Sequence, residues 1–436
     1  SHVVVVLSRA VSSVLTDKFS TKFSYGRNLD EDQNEGNDND EEFDIDPNDV
    51  LILLSVTGVV GLAMSSFSLT FMMYFAEFLI KSALFFNIFT SILMAIAGLL
   101  SSNIVLIAMG VLYLAMSVYY TCLVWARIPF AAQNLITAVT AVKANIGVTF
   151  FAYVSLLSLF GWSLCWGVSA MSTIFVLGDC DGQGQCQNEV SGIIVFLLTL
   201  SFYWTCQVIK NVVHVTVSGT VGTWWFVPSE ATSFCSSGVR DSFFRSITYS
   251  FGSICLGSLI VAIVQAVRDM LRRMREGDDG ILLCIADCCL GCIERIIEYF
   301  NEWAYVYVGI YGYTFVEAAK GVLSLFKSRG WTSIITDNLI SNVLVMVSIG
   351  VGVVTGIIGA VVSNAKGMDL EIGGFIIGFI FGFSLTQVLM GVVGSAVNAV
   401  IVCYAEDPNA FQANHPQLSD QMRSAWKKAW PSEFQY

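Results

Sequence analysis

Long apolar segments separated by short polar stretches run along most of the chain. A bilayer core of about 30 Å is crossed by a helix of about 20 apolar residues, so each segment of that length predicts a membrane-spanning helix. The segments predict an all-α fold, a polytopic transmembrane helical bundle with about nine to ten membrane helices. Nine of these helices are predicted at residues 50–75, 83–100, 104–125, 146–177, 191–217, 243–267, 303–326, 338–362 and 372–404.

Two weaker patterns refine this bundle. Residues 129–145 are less apolar because they include Gln133, Asn134 and Lys143, and they predict a helix lying on the membrane surface. Glycines recur at every fourth position within 352–356 and 374–382, which places small residues on one face of each helix. This spacing predicts close helix packing, with no need for a further role.

Lysines and arginines in short loops indicate the cytosolic side of the bundle. Arg127 and Lys143 place the loop after the third segment in the cytosol, and alternation then places residues 178–189 and the stretch before residue 50 outside. A stretch outside requires an odd number of crossings before it, so we expect a further membrane helix ahead of it. Four arginines between 268 and 275 conflict with simple alternation, because we expect them in the cytosol. Either residues 212–226 bend through the membrane a second time, or the segment 303–326, which Gly309 and Gly312 weaken, does not fully cross. The number of full crossings therefore stays open.

Composition supports a membrane protein and restricts the meaning of the net charge. Charged residues make up 13% of the 436-residue chain, whereas soluble domains contain about 25%. This excludes a soluble enzyme, a nucleic-acid-binding protein and a disordered chain. The net charge is -12, but eleven of the 34 acidic residues lie between positions 30 and 49, which leaves 23 against 22 basic residues. The acidic tract either concentrates cations at an entrance or is a solvated linker.

The charge distribution suggests three regions. Residues 1–49 form an N-terminal segment with an acidic extracellular or lumenal tract, residues 50–404 a transmembrane domain, and residues 405–436 a cytosolic tail. No phosphate-binding loop, metalloprotease motif or nucleophile elbow occurs, and the three histidines are widely separated. We therefore predict no enzymatic activity, no cofactor, no metal site and no nucleic-acid partner.

The segment 191–217 carries polar residues on one helical face. Tyr203, Gln207, Lys210 and His214 follow one another at steps of four, three and four. Polar groups in hydrocarbon usually face the bundle interior or a wet cavity. They predict either the wall of a polar pathway, in which His214 responds to protons, or hydrogen bonds between neighbouring helices.

Aromatic residues form two further candidate regions. The sequence SGTVGTWWFVP at 218–228 predicts either interfacial anchors or a pocket wall containing Trp224, with Trp204 as another wall residue. At 302–320, Trp303, Tyr307 and Tyr311 share a helical face. Aromatic faces attract ammonium cations, and a carboxylate strengthens that attraction. Glu302 and Glu317 bracket the face, so this stretch predicts either a cation site or an interfacial aromatic belt.

Cysteines suggest one covalent link. Cys180 and Cys186 lie in the loop GDCDGQGQC, which the alternation places outside. Outside compartments are oxidising, so we predict a local disulfide between these two residues.

The same motifs resemble a known family. The stretches SITYSFGSICLGSLIVAIVQAV at 246–267, NEWAYVYVGIYGYTFVEAAKGVLSLFKSRGW at 301–331 and CYAEDPNAFQANHPQLSDQM at 403–422 closely resemble the choline transporter-like family of solute carriers. The branch found in fungi and other microbial eukaryotes is the most similar, and SGTVGTWWFVP fits it. The resemblance covers nearly the whole chain from about residue 50, with the acidic tract in place of the large glycosylated loop of animal members.

The resemblance implies a function and a set of partners. It implies transport of choline or ethanolamine across the plasma membrane or an organelle membrane, without sodium and by facilitated movement or proton exchange. The expected partners are this small cationic substrate and membrane lipids, whereas no protein partner is indicated. The alternative from another class is a non-transporting membrane scaffold or an accessory subunit of a larger membrane assembly.

Overall fold

The computed structural model describes residues 47–101, 104–178, 191–231, 233–234, 236–277, 281–329, 339–366 and 371–429. These residues form α-helices and two short 3-10 helices, with no strand in the described ranges. The α-helices are α1 (Pro47–Leu100), α2 (Ile104–Val124), α3 (Ile128–Ala144), α4 (Gly147–Leu177), α5 (Gly192–Phe226), α6 (Ser237–Ile247), α7 (Phe251–Gly277), α8 (Ile281–Tyr311), α9 (Phe315–Arg329), α10 (Leu339–Ala365), α11 (Glu371–Glu406), α12 (Pro408–Asn414) and α13 (Pro416–Ala429).

The predicted all-α membrane fold is confirmed, with differences in how the apolar segments are joined. Seven stretches of the described helices are long and apolar enough to cross a membrane. The predicted segments 50–75 and 83–100 both lie in α1, which consists of two helical stretches joined at Phe75, where the backbone is not helical (φ -122°, ψ 27°) and where the first predicted segment ends. Glycine and proline are absent between them, and Lys81 lies 3.8 Å from Glu77 one turn earlier, so the helix continues through the polar stretch.

The predicted segment 303–326 is divided between two helices. α8 ends at Tyr311, and Gly312 follows with φ 72°, a left-handed conformation that glycine adopts without a steric penalty. α9 then begins at Phe315. Its start is stabilised by the Glu317 carboxylate, which accepts from the Thr314 N–H, as in one half of a capping box, and from the Thr314 hydroxyl. This stretch is not among the seven apolar helices.

The described chain forms two compact units. The first unit comprises Val154–Asn211 and Gly252–Asn301. Its core contains Phe202, Cys206 and Ala262, against which Trp166 and other aromatic and aliphatic side chains pack. The ring centroids of Trp166 and Phe202 are 4.7 Å apart.

The second unit comprises Pro47–Tyr153, Val212–Phe251 and Glu302–Tyr436. Helices α10 and α11 pack along the predicted glycine faces, where a Cβ on Gly374 would lie 2.6 Å from the Gly359 carbonyl oxygen. Substitution by any larger residue would therefore push the two backbones apart. The spacing of small residues correctly predicted this close packing.

Helix α3 is enclosed by protein, which differs from the predicted helix at the membrane surface. Twelve of its 17 residues are buried, including Gln133 and Asn134. Both polar side chains have partners in α13, because Gln133 contacts Gln421 and Asn134 accepts from the Trp426 indole at 2.9 Å. Two of the three polar residues that made this segment look interfacial therefore bind the C-terminal tail, while the third, Lys143, donates to Thr70 of α1 at 2.9 Å.

Candidate functional site

The break after α8 gathers three tyrosine rings, which we call the tyrosine cluster. It consists of Tyr307, Tyr311 and Tyr313. The ring centroids of Tyr307 and Tyr311 are 5.1 Å apart, those of Tyr311 and Tyr313 5.5 Å, and those of Tyr307 and Tyr313 6.5 Å. Tyr307 is 5% exposed, whereas Tyr311 and Tyr313 are 40% and 49% exposed. The cluster thus has a buried floor and an accessible rim.

A carboxylate completes the tyrosine cluster. Glu406, the last residue of α11, accepts a hydrogen bond from the Tyr307 hydroxyl, and its charge also acts on Tyr311. Among the described residues, no lysine or arginine nitrogen lies within the 4.0 Å of an ion pair with this carboxylate. Arg329 instead donates to the Glu406 backbone carbonyl at 3.3 Å. Within the described part of the chain, the side-chain charge of Glu406 is therefore not part of an ion pair.

Aromatic rings and an unneutralised carboxylate are the groups that recognise an ammonium ion. Ring faces attract a cation by about 0.5–2 kcal/mol per contact, even when the cation carries no hydrogen-bond donor. Sequence reasoning found Tyr307 and Tyr311 but missed Glu406 and the role of Tyr313. Glu406 lies 95 positions after Tyr311, so only its place in the quoted motif CYAEDPNAF could have drawn attention to it.

Trp303 and Glu302, although predicted beside Tyr307, do not join the cluster. Trp303 is 6% exposed and its ring packs edge-to-face on Phe326, with centroids 5.2 Å apart. The Glu302 residue is exposed, and its backbone carbonyl accepts a bond from His214. Trp303 thus faces the interior of the second unit, in contact with α9.

Glu317 acts as a helix cap. Its carboxylate accepts from the Thr314 hydroxyl at 2.7 Å and from the Thr314 N–H at 3.2 Å. These two bonds, together with the nearby Lys320 charge, hold the pKa of Glu317 below its ordinary value. They account for this carboxylate without a ligand.

His214 is buried in the second unit and has a partner at each ring nitrogen. Nε2 lies 2.9 Å from the Glu302 carbonyl oxygen, which can only accept, so this nitrogen carries a proton. Nδ1 lies 2.6 Å from the Ser395 hydroxyl, which in turn lies 2.9 Å from the Gly391 carbonyl oxygen. The hydroxyl can donate to a neutral ring, or turn to the Gly391 carbonyl and accept from a protonated ring. Both charge states are therefore accommodated.

Trp224 and its neighbour Trp225 contact the C-terminal tail. Trp224 is 2% exposed and stacks on His415 with centroids 4.2 Å apart, while Trp225 stacks on Phe411 at 3.9 Å. The faces that the sequence suggested for a pocket wall are occupied by these side chains.

Trp204 and Gln207 lie in the first unit. Trp204 is 38% exposed and its indole N–H donates to the Cys255 carbonyl at 3.0 Å. Gln207 is buried, and its amide lies 3.3 Å from the Gln265 side-chain oxygen and 3.5 Å from a Glu298 oxygen. Gln207 is thus part of hydrogen bonds between helices, one of the two readings of its polar face.

The polar contacts of the first unit continue into an ion-pair network. Gln265 donates to Glu294 at 2.9 Å, and Glu294 accepts from Arg268 at 2.7 Å. Arg268 also lies 2.7 Å from Asp287, which Arg272 approaches at 3.1 Å. Each arginine of this network thus faces a carboxylate.

The predicted disulfide residues Cys180 and Cys186 lie outside the described residues, and so does most of the acidic tract. Their pairing stays a prediction.

Comparison with known proteins gives a consistent result. A family model described as plasma-membrane choline transporter matches residues 104–409. The protein PNS1 of Gibberella zeae is 29% identical over 347 residues, which cover 73% of this chain and 63% of that protein. The protein PNS1 of Mycosarcoma maydis is 26% identical over 393 residues, covering 86% of this chain and 73% of its own length. A CTL-like protein of Dictyostelium discoideum is 30% identical, covering 67% of this chain and 52% of that protein.

Proposed function

Because the chain belongs to the choline transporter-like family, we propose that it carries choline or a related ammonium alcohol such as ethanolamine across a membrane. The transport is independent of sodium, and proton exchange accompanies it. The description of the family names the plasma membrane, which is our first choice over an organelle membrane.

The observation that carries this proposal is the tyrosine cluster with Glu406. Choline has a permanent charge and no N–H, so ordinary hydrogen bonds cannot hold its ammonium group, whereas ring faces can. Tyr307 forms the buried floor of the site, and the exposed Tyr311 and Tyr313 form its rim, where the methyl groups would contact the rings. Ethanolamine fits the same site in another way, since its primary ammonium donates directly to Glu406.

Uptake into proteoliposomes tests the proposal. We expect saturable uptake of labelled choline in sodium-free buffer, with ethanolamine as a competitor, and a loss of uptake in Glu406→Gln. Glu317→Gln is the matched control, because that carboxylate is bound to Thr314 and serves as a helix cap. Absence of saturable uptake for every ammonium substrate would favour the alternative of a non-transporting scaffold or accessory subunit.

His214 provides the group for proton exchange. Histidine changes charge near neutral pH, and the Ser395 hydroxyl offers a partner to either form of the ring. We expect His214→Gln to flatten the dependence of choline uptake on pH between about pH 5.5 and 8. Uptake at a series of pH values measures this, and an unchanged profile would remove His214 from the coupling while leaving choline transport intact.

A further inference from the structure

The C-terminal tail binds the end of α5 through a group of contacts that we call the tail clasp. It consists of Trp224, Trp225, Phe411, Asn414 and His415, all in the second unit. The rings of Trp225 and Phe411 are nearly parallel, at 9°, with centroids 3.9 Å apart. Trp225 and Phe411 are both fully buried. The stack is therefore a fixed contact of the folded unit.

Hydrogen bonds in the tail clasp satisfy the last backbone carbonyls of α5. The last carbonyls of a helix have no partner within the helix, and Pro228 follows α5 where it would otherwise continue. Asn414 donates to the Trp225 carbonyl at 2.9 Å and to the Phe226 carbonyl at 3.2 Å. His415 lies 3.2 Å from the Trp224 carbonyl through Nε2. The tail thus supplies the C-terminal cap of α5.

One contact of the tail clasp, together with Arg329, holds the backbone on the C-terminal side of Glu406. The Trp225 indole N–H donates to the Asp407 carbonyl at 3.2 Å, immediately after Glu406. Arg329 donates to the Glu406 carbonyl itself at 3.3 Å. Asp407 also caps α12, since its carboxylate accepts from the Asn409 N–H at 2.9 Å. The backbone carbonyls of Glu406 and Asp407 are thus both held by hydrogen bonds. This fixes the position from which the Glu406 side chain extends to Tyr307.

We propose that Trp225 is a positioning residue, whose bond to the Asp407 carbonyl holds the Glu406 carboxylate against the tyrosine cluster. The inference rests on the proposed function and extends it, because it makes substrate affinity depend on a contact of the C-terminal tail. Trp225 touches no substrate in this role. It determines where the counter-charge lies, and so it favours a charged ligand over a neutral one.

Trp225→Phe tests the role, since phenylalanine keeps the aromatic stack on Phe411 and removes the N–H. Dissociation constants are measured on the purified full chain for choline and for 3,3-dimethyl-1-butanol, its uncharged carbon analogue. We expect choline to bind three- to tenfold more weakly, while binding of the neutral analogue is unchanged. A merely structural role would weaken both ligands equally, and that result would overturn the proposal.

Two further variants keep the test decisive. Trp426→Phe is the matched control, because it removes an indole bond of the same tail, to Asn134, that does not involve Glu406. It should leave both constants unchanged. If Trp225→Phe does not fold, Arg329→Lys keeps the positive charge beside Glu406 and removes the guanidinium that donates to the Glu406 carbonyl, and it should show the same selective loss for choline.

A double-mutant comparison separates this inference from the proposed function. If Trp225 acts through Glu406, Trp225→Phe has no further effect on choline binding in a Glu406→Gln background. Additive losses would overturn the positioning role and leave the proposed site intact. If Glu406→Gln alone binds choline as well as the original chain does, the proposed site fails, and the positioning role fails with it.

Discussion

Carboxylates occur in both units of the molecule, and their surroundings differ. In the first unit, Asp287 and Glu294 each lie 2.7 Å from a nitrogen of Arg268. In the second unit, Glu406 meets the Tyr307 hydroxyl and, among the described residues, lies in no ion pair. In the first arrangement each carboxylate faces an arginine, whereas in the second the carboxylate lies beside tyrosine rings and no described lysine or arginine forms an ion pair with it.

The difference shows how to separate structural charges from functional ones in a membrane protein. Ionisable groups in such proteins are costly and are usually paired or functional. A paired network needs no ligand, because each charge already has its partner, and its loss should reduce stability. A carboxylate beside aromatic rings and without a cation should affect ligand affinity first. The predictions below test this division.

The largest effect is expected from Glu406→Gln. The amide keeps the size of the side chain and removes its charge, so choline loses its counter-ion. We expect binding to weaken about 10- to 100-fold, or roughly 1.4–2.7 kcal/mol, the range of a charge-assisted interaction. Dissociation constants from calorimetry on the purified protein measure this. Glu317→Gln is the control, because Glu317 caps α9. An equal loss of choline affinity in this variant would show that any nearby negative charge suffices, and would contradict the distinction between structural and ligand-binding carboxylates.

Arg268→Met should lower the stability of the protein and leave choline affinity unchanged, the reverse of what we expect for Glu406→Gln. It leaves Glu294 and Asp287 without their shared guanidinium, and both ion pairs are mostly buried, with side-chain exposures of 24% and 14%. We expect a loss of about 2 kcal/mol of unfolding free energy, less than for a fully buried pair, with unchanged choline affinity. Thermal unfolding in detergent measures the stability. Arg240→Met is the control, because the Arg240–Asp241 pair is exposed and should contribute little.

Sequence patterns predicted the helices well because membrane helices are specified locally. Apolar length predicted α4, α10 and most of α11, and glycine spacing predicted how α10 and α11 pack. The glycines at 309 and 312 indicated a weakened helix, and the structure places the break at Gly312, where a left-handed residue precedes the Thr314–Glu317 cap.

The candidate site was only partly predictable. Helical spacing correctly placed Tyr307 and Tyr311 side by side, but it gave Trp303 the same direction without showing that Phe326 covers it. Periodicity gives the direction of a side chain, whereas its neighbours depend on tertiary packing. Glu406 comes from a distant helix, and no local pattern links it to Tyr307.

Tyr311→Leu tests the contribution of a single ring at the accessible rim. Leucine keeps an apolar surface and loses the π face, so the attraction for a cation falls while that for a neutral ligand stays. We expect choline binding to weaken by about 0.5–1 kcal/mol, or roughly two- to fivefold. Tyr311→Phe is the control, because it keeps the ring. Equal effects of the two variants would assign the contribution to the hydroxyl group and not to the ring face.

The smallest effect concerns the pH dependence of the first unit. Burial raises the pKa of Asp287, but the bonds and charges of Arg268 and Arg272 outweigh it, and the pKa lies below its ordinary value. A lowered pKa in the folded state means that the pair stabilises the fold above the pKa of the unfolded chain, and that this stability is lost as the pH falls through the folded value.

Near neutral pH, Asp287→Asn should therefore have an unfolding free energy about 0.5 kcal/mol lower than that of the original chain, and so a lower unfolding temperature. The loss is small because Arg268 keeps Glu294 as a partner. The gap should begin to narrow below about pH 4, the pKa of an aspartate in the unfolded chain, and should close as the pH falls through the lower pKa of the folded state. Unfolding temperatures across the acid range measure it, with Asp241→Asn in the exposed pair as the control. A difference in unfolding temperature that stays constant with pH would mean that Asp287 stabilises the fold through packing. The ion pairs would then contribute less to the stability of the first unit than side-chain packing does.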